Sequence, residues 1–163
     1  MKRAEGHLLL NLTLFQPEIA QNMGAVIRLC ACFGITLNVI EPCGFPFSSK
    51  ALKRAAMDYA HFAEVKRHVN FKNYYEKMIT KVKNNRLILF STKGNHALWD
   101  FKFHKNDHLI FGNESSGVPT NVSEQVDSQV YIPMPGRGRS LNIAVSAGIG
   151  LAEATRQLAY VEK

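Results

Sequence analysis

Three short segments of this chain carry residues whose types and spacing suit ligand chemistry. Pro17-Glu18-Ile19-Ala20-Gln21-Asn22-Met23-Gly24-Ala25-Val26-Ile27-Arg28 leaves an apolar run and sets an amide, a glycine and one arginine on the opening turns of a helix. Leu109-Ile110-Phe111-Gly112-Asn113-Glu114-Ser115-Ser116-Gly117-Val118-Pro119 reads as a strand, a glycine loop and an acid leading into a short helix. Val130-Tyr131-Ile132-Pro133-Met134-Pro135-Gly136-Arg137-Gly138-Arg139-Ser140-Leu141-Asn142 is a strand that stops at a proline, a basic loop, and the start of a long apolar helix. Strand-end loops rich in glycine and proline are where α/β proteins hold ligands. An amide, a carboxylate, a hydroxyl and a guanidinium gathered there can orient a polar substrate and help to remove one proton.

Each residue also has a structural reading. Asn22 and Ser140 are both favoured helix caps, and a cap is compatible with a ligand role because helix N-termini present free amide groups. Glu114 suits the first turn of a helix. Gly24 is harder to explain structurally, since glycine in a helix costs about 1 kcal/mol relative to alanine. Close approach of RNA or of a partner backbone would account for it. Lys50, Lys53, Arg54, Arg137 and Arg139, with Asp58-Tyr59 adjacent, form a candidate RNA surface.

The elements that must position these residues follow from periodicity. His7 to Phe15, Thr36 to Ile40, Phe62 to Val65, Arg86 to Ser91, His108 to Phe111 and Gln129 to Ile132 read as strands. Asn22 to Phe33, stopped by Gly34, a short basic helix over Ser49 to Ala56, an amphipathic helix over Asn70 to Lys83, and Leu141 to Val161 read as helices. The alternation predicts an open, mostly parallel α/β sheet with helices on both faces, in one domain spanning 1–163. No Gly-x-Gly-x-x-Gly follows the first strand, which argues against a dinucleotide-binding Rossmann domain.

Basic residues number 20 against 13 acidic ones, for a net charge of +7 and a polyanionic partner. Cys30, Cys32 and Cys43 suggest neither a disulfide framework nor, without a Cys/His cluster, a metal site; they read as buried small hydrophobes in a reducing compartment. His104 and His108 straddle a loop and a strand start and do not read as ligands. The N-terminus has no apolar signal region, and the most apolar run, Ile143 to Ala152, is too short to span a bilayer, so a cytoplasmic location without membrane contact is expected.

The three segments in order resemble the motifs of the SpoU branch of SPOUT RNA methyltransferases. Glu41-Pro42-x-Gly44-Phe45, Arg54-Ala55-x-x-Asp58-Tyr59 and Thr92-Lys93-Gly94 tighten the resemblance, which runs from about Leu8 to Leu158. It is strongest to the small tRNA (cytidine/uridine-34 2′-O)-methyltransferases, which modify the wobble ribose, with leucine tRNAs as the expected substrates. The resemblance implies S-adenosylmethionine as cofactor, S-adenosylhomocysteine as product, no metal, a C-terminal trefoil knot and a homodimer. It implies that Arg28 is the central catalytic residue, as base or as phosphate clamp, with Asn22, Glu114, Ser140 and Asn142 beside it. Phe90, Gly112, Ile132, Met134, Ser140 and Leu141 fall on cofactor-binding positions, with Gly112 placed against the cofactor. This sequence departs from the pattern at Asn113, where a proline is common and a less rigid loop is expected, and at Ala144 and Ala152. The first strand begins near His7, so no added RNA-binding domain is expected. Ribosomal RNA or another tRNA position is the alternative target, and a non-catalytic RNA-binding protein of the same fold the alternative class.

Overall fold

The computed structural model describes residues 10–48, 50, 54, 56, 59 and 61–159. Four apolar runs, each with side chains committed to both faces, form the centre of a sheet. The strands are β1 (Asn11–Phe15), β2 (Thr36–Ile40), β3 (Val65–His68), β4 (Arg86–Phe90), β5 (His96–Ala97), β6 (Asp107–Phe111) and β7 (Ser128–Tyr131). Their order is β3-β2-β1-β6-β4-β7-β5, and every pairing is parallel. Alternate residues of one strand enter two separate cores: Ile88 and Phe90 pack with Leu12, Leu14, Leu109 and Phe111, whereas Leu87 and Leu89 pack with Phe15, Ile40 and Ile110. A parallel sheet covered on both faces requires this near-continuous hydrophobicity.

Helix α1 (Ala20–Phe33) buries Met23, Val26, Ile27 and Cys30, the i, i+3, i+4, i+7 stripe of a helix with one apolar face. It ends at Gly34, whose φ of 66° supplies the left-handed cap read from the sequence. Helix α4 (Ile143–Ala159) buries Ile143, Ala147, Leu151 and Ala154 on the same side of the sheet and packs against α1. The opposite face carries α2 (Phe71–Tyr74), which continues as a π-helical segment (Tyr75–Thr80), and α3 (Thr120–Ser123). Asn70 caps α2 by accepting the Asn73 amide at 2.8 Å. Of the α2 face expected to be apolar, Tyr74 is buried and Phe71, Tyr75 and Met78 pack on the core, but Val82 is exposed.

Several expectations are corrected. The third strand is Val65–His68, not Phe62–Val65: it is an edge strand whose Lys66 and Arg67 face outward, and Phe62 is 76 % exposed. Charge on an edge strand blocks sheet-to-sheet association, so apolar content marks such a strand poorly. Strand β5, two residues long, has no counterpart among the strands expected from periodicity. Cys30 is buried, its thiol pushed up to about 12 by burial, but Cys32 is exposed. Gly24 is buried. Of the basic helix over Ser49 to Ala56, Lys50, Arg54 and Ala56 are helical; Lys53, Asp58, His7 to Leu9 and the end of the last helix beyond Ala159 lie outside the described residues. No helix among the described residues is long and apolar enough to cross a membrane.

A buried polar chain crosses the α2 side of the sheet. The Tyr74 hydroxyl hydrogen-bonds Thr13 Oγ1 at 2.9 Å and His108 Nδ1 at 3.0 Å, and Asn85 Nδ2 faces His108 Nε2 at 3.3 Å. Asn85 Nδ2 also donates to the Met78 carbonyl, which fixes its orientation as a donor toward the ring. Protonating Nε2 would set two donors face to face. Burial, then the positive charges of His68 and Lys66, bring the His108 pKa down to about 4. An unfolded histidine titrates near ~6.5, so between there and about 4 the unfolded chain holds a proton that the folded chain refuses. Stability is therefore complete above pH ~6.5 and falls as the pH drops, by about 3 kcal/mol from this group once pH 4 is reached. Urea midpoints between pH 7.5 and 4.5 should show this loss, and His108→Asn should flatten it; equal slopes would remove His108 as the cause.

Candidate active site

The sheet changes direction between β1 and β6: β1 leads outward to β2, and β6 leads the other way to β7. Exit loops diverge at such a point and leave a crevice at the C-terminal ends of the strands. Here the crevice is a cleft of about 1050 Å³ between the exits of β4, β6 and β7 and the start of α4. Its walls include Phe90, Gly112, Ile132, Met134, Ser140 and Leu141, all six of the positions expected to touch cofactor, together with Asn22, Glu114, Arg139 and Asn142.

A chain of hydrogen bonds joins the three sequence segments at the edge of this cleft. The Asn142 Oδ1 accepts the amides of Ala144 at 2.8 Å and Val145 at 3.3 Å, which fixes its Nδ2 as the group that donates to Asn22 Oδ1 at 2.9 Å. Asn22 Nδ2 in turn donates to Glu114 Oε1 at 3.1 Å. Glu114 also accepts the amides of Glu18 at 2.8 Å, just before α1, and of its N-cap Ile19 at 3.3 Å. Glu18 returns the contact, accepting from the Ser115 amide at 3.0 Å and Ser115 Oγ at 2.7 Å. Two carboxylates, each at a strand exit, thus clamp the two loops to one another. Counting donors and acceptors among the described residues, Asn142 and Asn22 each keep one N–H for a ligand.

The geometry revises several roles. Asn142 caps α4; Ser140 lies two residues outside the cap and is exposed. Asn22 is not a cap, because α1 begins at Ala20, and its side chain is free to bridge Asn142 and Glu114. Gly112 is glycine for a reason inside its own loop: a Cβ there would meet the Gly117 backbone at 2.4 Å, not the cleft. Gly117, with φ of 68°, is held in that position by reciprocal amide bonds with Asn113 at 3.0 and 3.1 Å. Asn113 tightens the loop further, its Oδ1 accepting from the Ser116 amide and hydroxyl at 2.8 and 2.9 Å. Proline at this position would lack the amide that donates to Gly117, so Asn113 supplies loop bonds that a proline could not.

Arg28 is exposed and does not line the cleft; its guanidinium lies 4.7 Å over the Tyr59 ring. At an exposed site this contact is worth about 0.5–1 kcal/mol, weak enough to yield to a phosphate. Lys50, Arg54 and Arg137 are exposed outside the cleft, while Arg139 sits on its wall. Lys93 also lines the cleft, a placement not inferred from sequence although Thr92-Lys93-Gly94 lies just past the exit of β4. Cys43, half-buried, has its thiol pushed up to about 11 by burial and then by Glu41, so it offers no thiolate near neutrality. Among the described residues no His/Cys/Asp/Glu group is arranged to hold a metal.

The order of Asn22, Glu114 and Asn142 along the chain and their union at one cleft coincide with a match of residues 9–152 to the SpoU rRNA Methylase family. The chain belongs to that family. It is 43% identical over 152 residues to a protein of Beijerinckia indica named tRNA (cytidine(34)-2′-O)-methyltransferase, covering 93% of this chain and 94% of that one. A solved structure concerned with 2-OH methylation of C/U34 on tRNA superposes with a TM-score of 0.88 at 41% identity, covering 94% of this chain and 99% of that one. A SpoU methyltransferase from Streptomyces viridochromogenes, solved with AdoMet, shares the fold at 24% identity and a TM-score of 0.82, over 95% of this chain and 60% of that one.

Proposed function

We propose that this SpoU-family chain transfers a methyl group from S-adenosylmethionine to the ribose 2′-hydroxyl of the wobble nucleotide, position 34, of tRNA in the cytoplasm, with leucine tRNAs as substrates. The observation that carries the reading is the Asn142–Asn22–Glu114 chain at the cleft edge, in a protein aligned end to end with enzymes named for that reaction. The cleft is large enough for the cofactor: its volume of about 1050 Å³ lies just above the roughly 300–1,000 Å³ range typical of small-ligand sites. Ile132, Met134 and Leu141 offer apolar walls for a purine, and the exit loops offer backbone polar groups. S-adenosylmethionine supplies an activated methyl group with a good neutral leaving group, so alignment is the main task left to the protein. The spare N–H groups of Asn22 and Asn142 point the ribose, and Glu114 holds both loops in register.

Arg28 stands apart from this cleft, a placement that supports the composite site, shared between two subunits, that the family resemblance implies. A homodimer that lays α1 of one subunit beside the cleft of its partner would bring Arg28 to the substrate phosphate. The exposed side of α4, with Val145, Gly148 and Ala152 at helical spacing, suits such close helix packing. In this reading the C-terminal segment carries the trefoil knot of the SPOUT fold, and the chain is one domain.

Mapping 2′-O-methylation in tRNA from a deletion strain tests the function. Loss confined to position 34 is the expected result; loss in ribosomal RNA alone, or at another tRNA position, would overturn it. Gly112→Ala tests the cleft. The added methyl group must displace the Gly117 backbone, so S-adenosylhomocysteine affinity should fall more than tenfold, with a loss of about 1–3 kcal/mol in stability. Titration calorimetry beside a denaturant melt reads both, and unchanged affinity would place the cofactor elsewhere.

A further inference from the structure

A second basic surface lies away from the cleft. Between Lys66 and Lys83 there are six basic side chains and one acid, Glu76, a net of five positive charges in a chain whose total is +7. All six are exposed; Arg67 lies over the Phe47 ring on the other face of β3, so five of the six belong to the α2 side. Lys66, Arg67 and Lys72 lean on Glu64, Glu41 and Glu76 at 3.2, 2.6 and 3.9 Å. Among the described residues no carboxylate lies within salt-bridge distance of Lys77, Lys81 or Lys83. The His68 ring on β3 meets the Tyr74 ring of α2 at 5.2 Å, and strand alternation puts Lys66 on that same side, beside the helix that leads to Lys77; after burial, these two charges help to hold His68 below the ordinary imidazole range. Like charges on one face repel, and the core does not need them, because α2 packs through Phe71, Tyr74, Met78 and Ile79 on its other side.

The sheet relates this face to the cleft. All strands are parallel, so β3 exits on the same edge as β1, β6, β4 and β7. Three strand spacings separate β3 from β6, about 14 Å at roughly 4.8 Å each. Helix α2 starts at that edge, and its continuation runs back toward the N-terminal ends of the strands, where Lys81 and Lys83 precede β4. A nucleic-acid backbone leaving the cleft along the sheet edge therefore meets Lys72 first and follows α2 to reach Lys77, Lys81 and Lys83.

We propose that the face formed by β3, α2 and the following turn, centred on Lys77, Lys81 and Lys83, is a second RNA-contact surface that holds the phosphate backbone of the tRNA beyond the nucleotide being methylated. The proposal rests on the tRNA reading above. It assigns these lysines to positioning and affinity, not to chemistry, because phosphate contacts orient an RNA without reading its sequence.

The test is filter binding of whole tRNA at graded salt with the full chain and its Lys77→Ala/Lys81→Ala/Lys83→Ala variant. Removing one lysine–phosphate interaction should flatten the log–log salt dependence by about 0.7–0.9. The triple variant should flatten it by about two, weaken binding about tenfold or more near physiological salt, and raise KM for tRNA by the same factor. Turnover at saturating tRNA, cofactor affinity and the thermal melt should be unchanged, and the Lys→Arg triple should behave as the parent. An unchanged slope would overturn the proposal, as would a fall in turnover with the slope intact, or binding of the parent to anionic vesicles that the variant loses while its tRNA slope is unaltered. If the parent binds tRNA but methylates some other position, the functional reading fails while the slope still decides this one.

Discussion

Arg28→Ala should slow methyl transfer at least a hundredfold, a barrier increase of about 2.7 kcal/mol, while leaving cofactor affinity unchanged. The separation of effects follows from placement. Arg28 is exposed on α1, resting on the Tyr59 ring, and contributes nothing to the cleft wall. A guanidinium keeps its proton tightly, and its planar fork matches a phosphate in two hydrogen bonds, so its loss removes positioning of the RNA. Single-turnover assays at saturating cofactor read the effect, and retention of more than a tenth of the parent rate would exclude a central role. Co-expression with Gly112→Val extends the test to the dimer. A mixed dimer would pair one intact arginine with one intact cleft, and activity should partly return. A clean dimer with no recovery would put Arg28 and Gly112 in the same subunit's site, and an active monomer in sedimentation would end the composite reading.

Glu114→Gln should be nearly as damaging although it changes one oxygen to an amide. Glu114 accepts from three donors: the Glu18 and Ile19 amides and Asn22 Nδ2. A glutamine has one oxygen to offer, so its amide must face at least one of those donors. If that donor is Asn22, its side chain must flip, which sets its Nδ2 against the Nδ2 of Asn142. The relay then has no consistent arrangement unless Asn142 releases the two amides that it caps. Loss of charge-assisted bonds to the start of α1 should cost about 1.5–3 kcal/mol of stability. Turnover should fall about a hundredfold in protein that remains folded. Glu18→Gln is the contrasting variant: its side chain holds only Ser115, and the Glu18 amide that Glu114 uses belongs to the main chain, so a smaller loss is expected. Denaturant melts and single-turnover rates for both variants decide the matter. Parent-like values for Glu114→Gln would show that the relay is ornamental to catalysis.

The α/β class, the parallel sheet and the three segments that meet at the cleft are legible in the order of residues alone. These signals are local: apolar runs of strand length, glycine and proline at strand exits, and a 3.6-residue stripe on α1 are each written within about fifteen residues. Gly34 as a helix stop and Asn70 as a helix start are of the same kind. The edge strand β3 escapes that reading because its charged residues serve to keep other strands away, which erases the apolar signal that marks an interior strand. What the site residues touch depends on how the chain folds back on itself. Asn22 lies 92 residues from Glu114 and 120 from Asn142, its two partners in the relay, and no local rule states which amide oxygen faces which donor. The same holds for Gly112, whose missing side chain answers to Gly117 across a tight loop and not to a ligand. It holds for the lysines of α2 and its continuation, ordinary solvated charges in sequence, which become one surface only because a parallel edge strand sets Lys66 beside the helix that follows it.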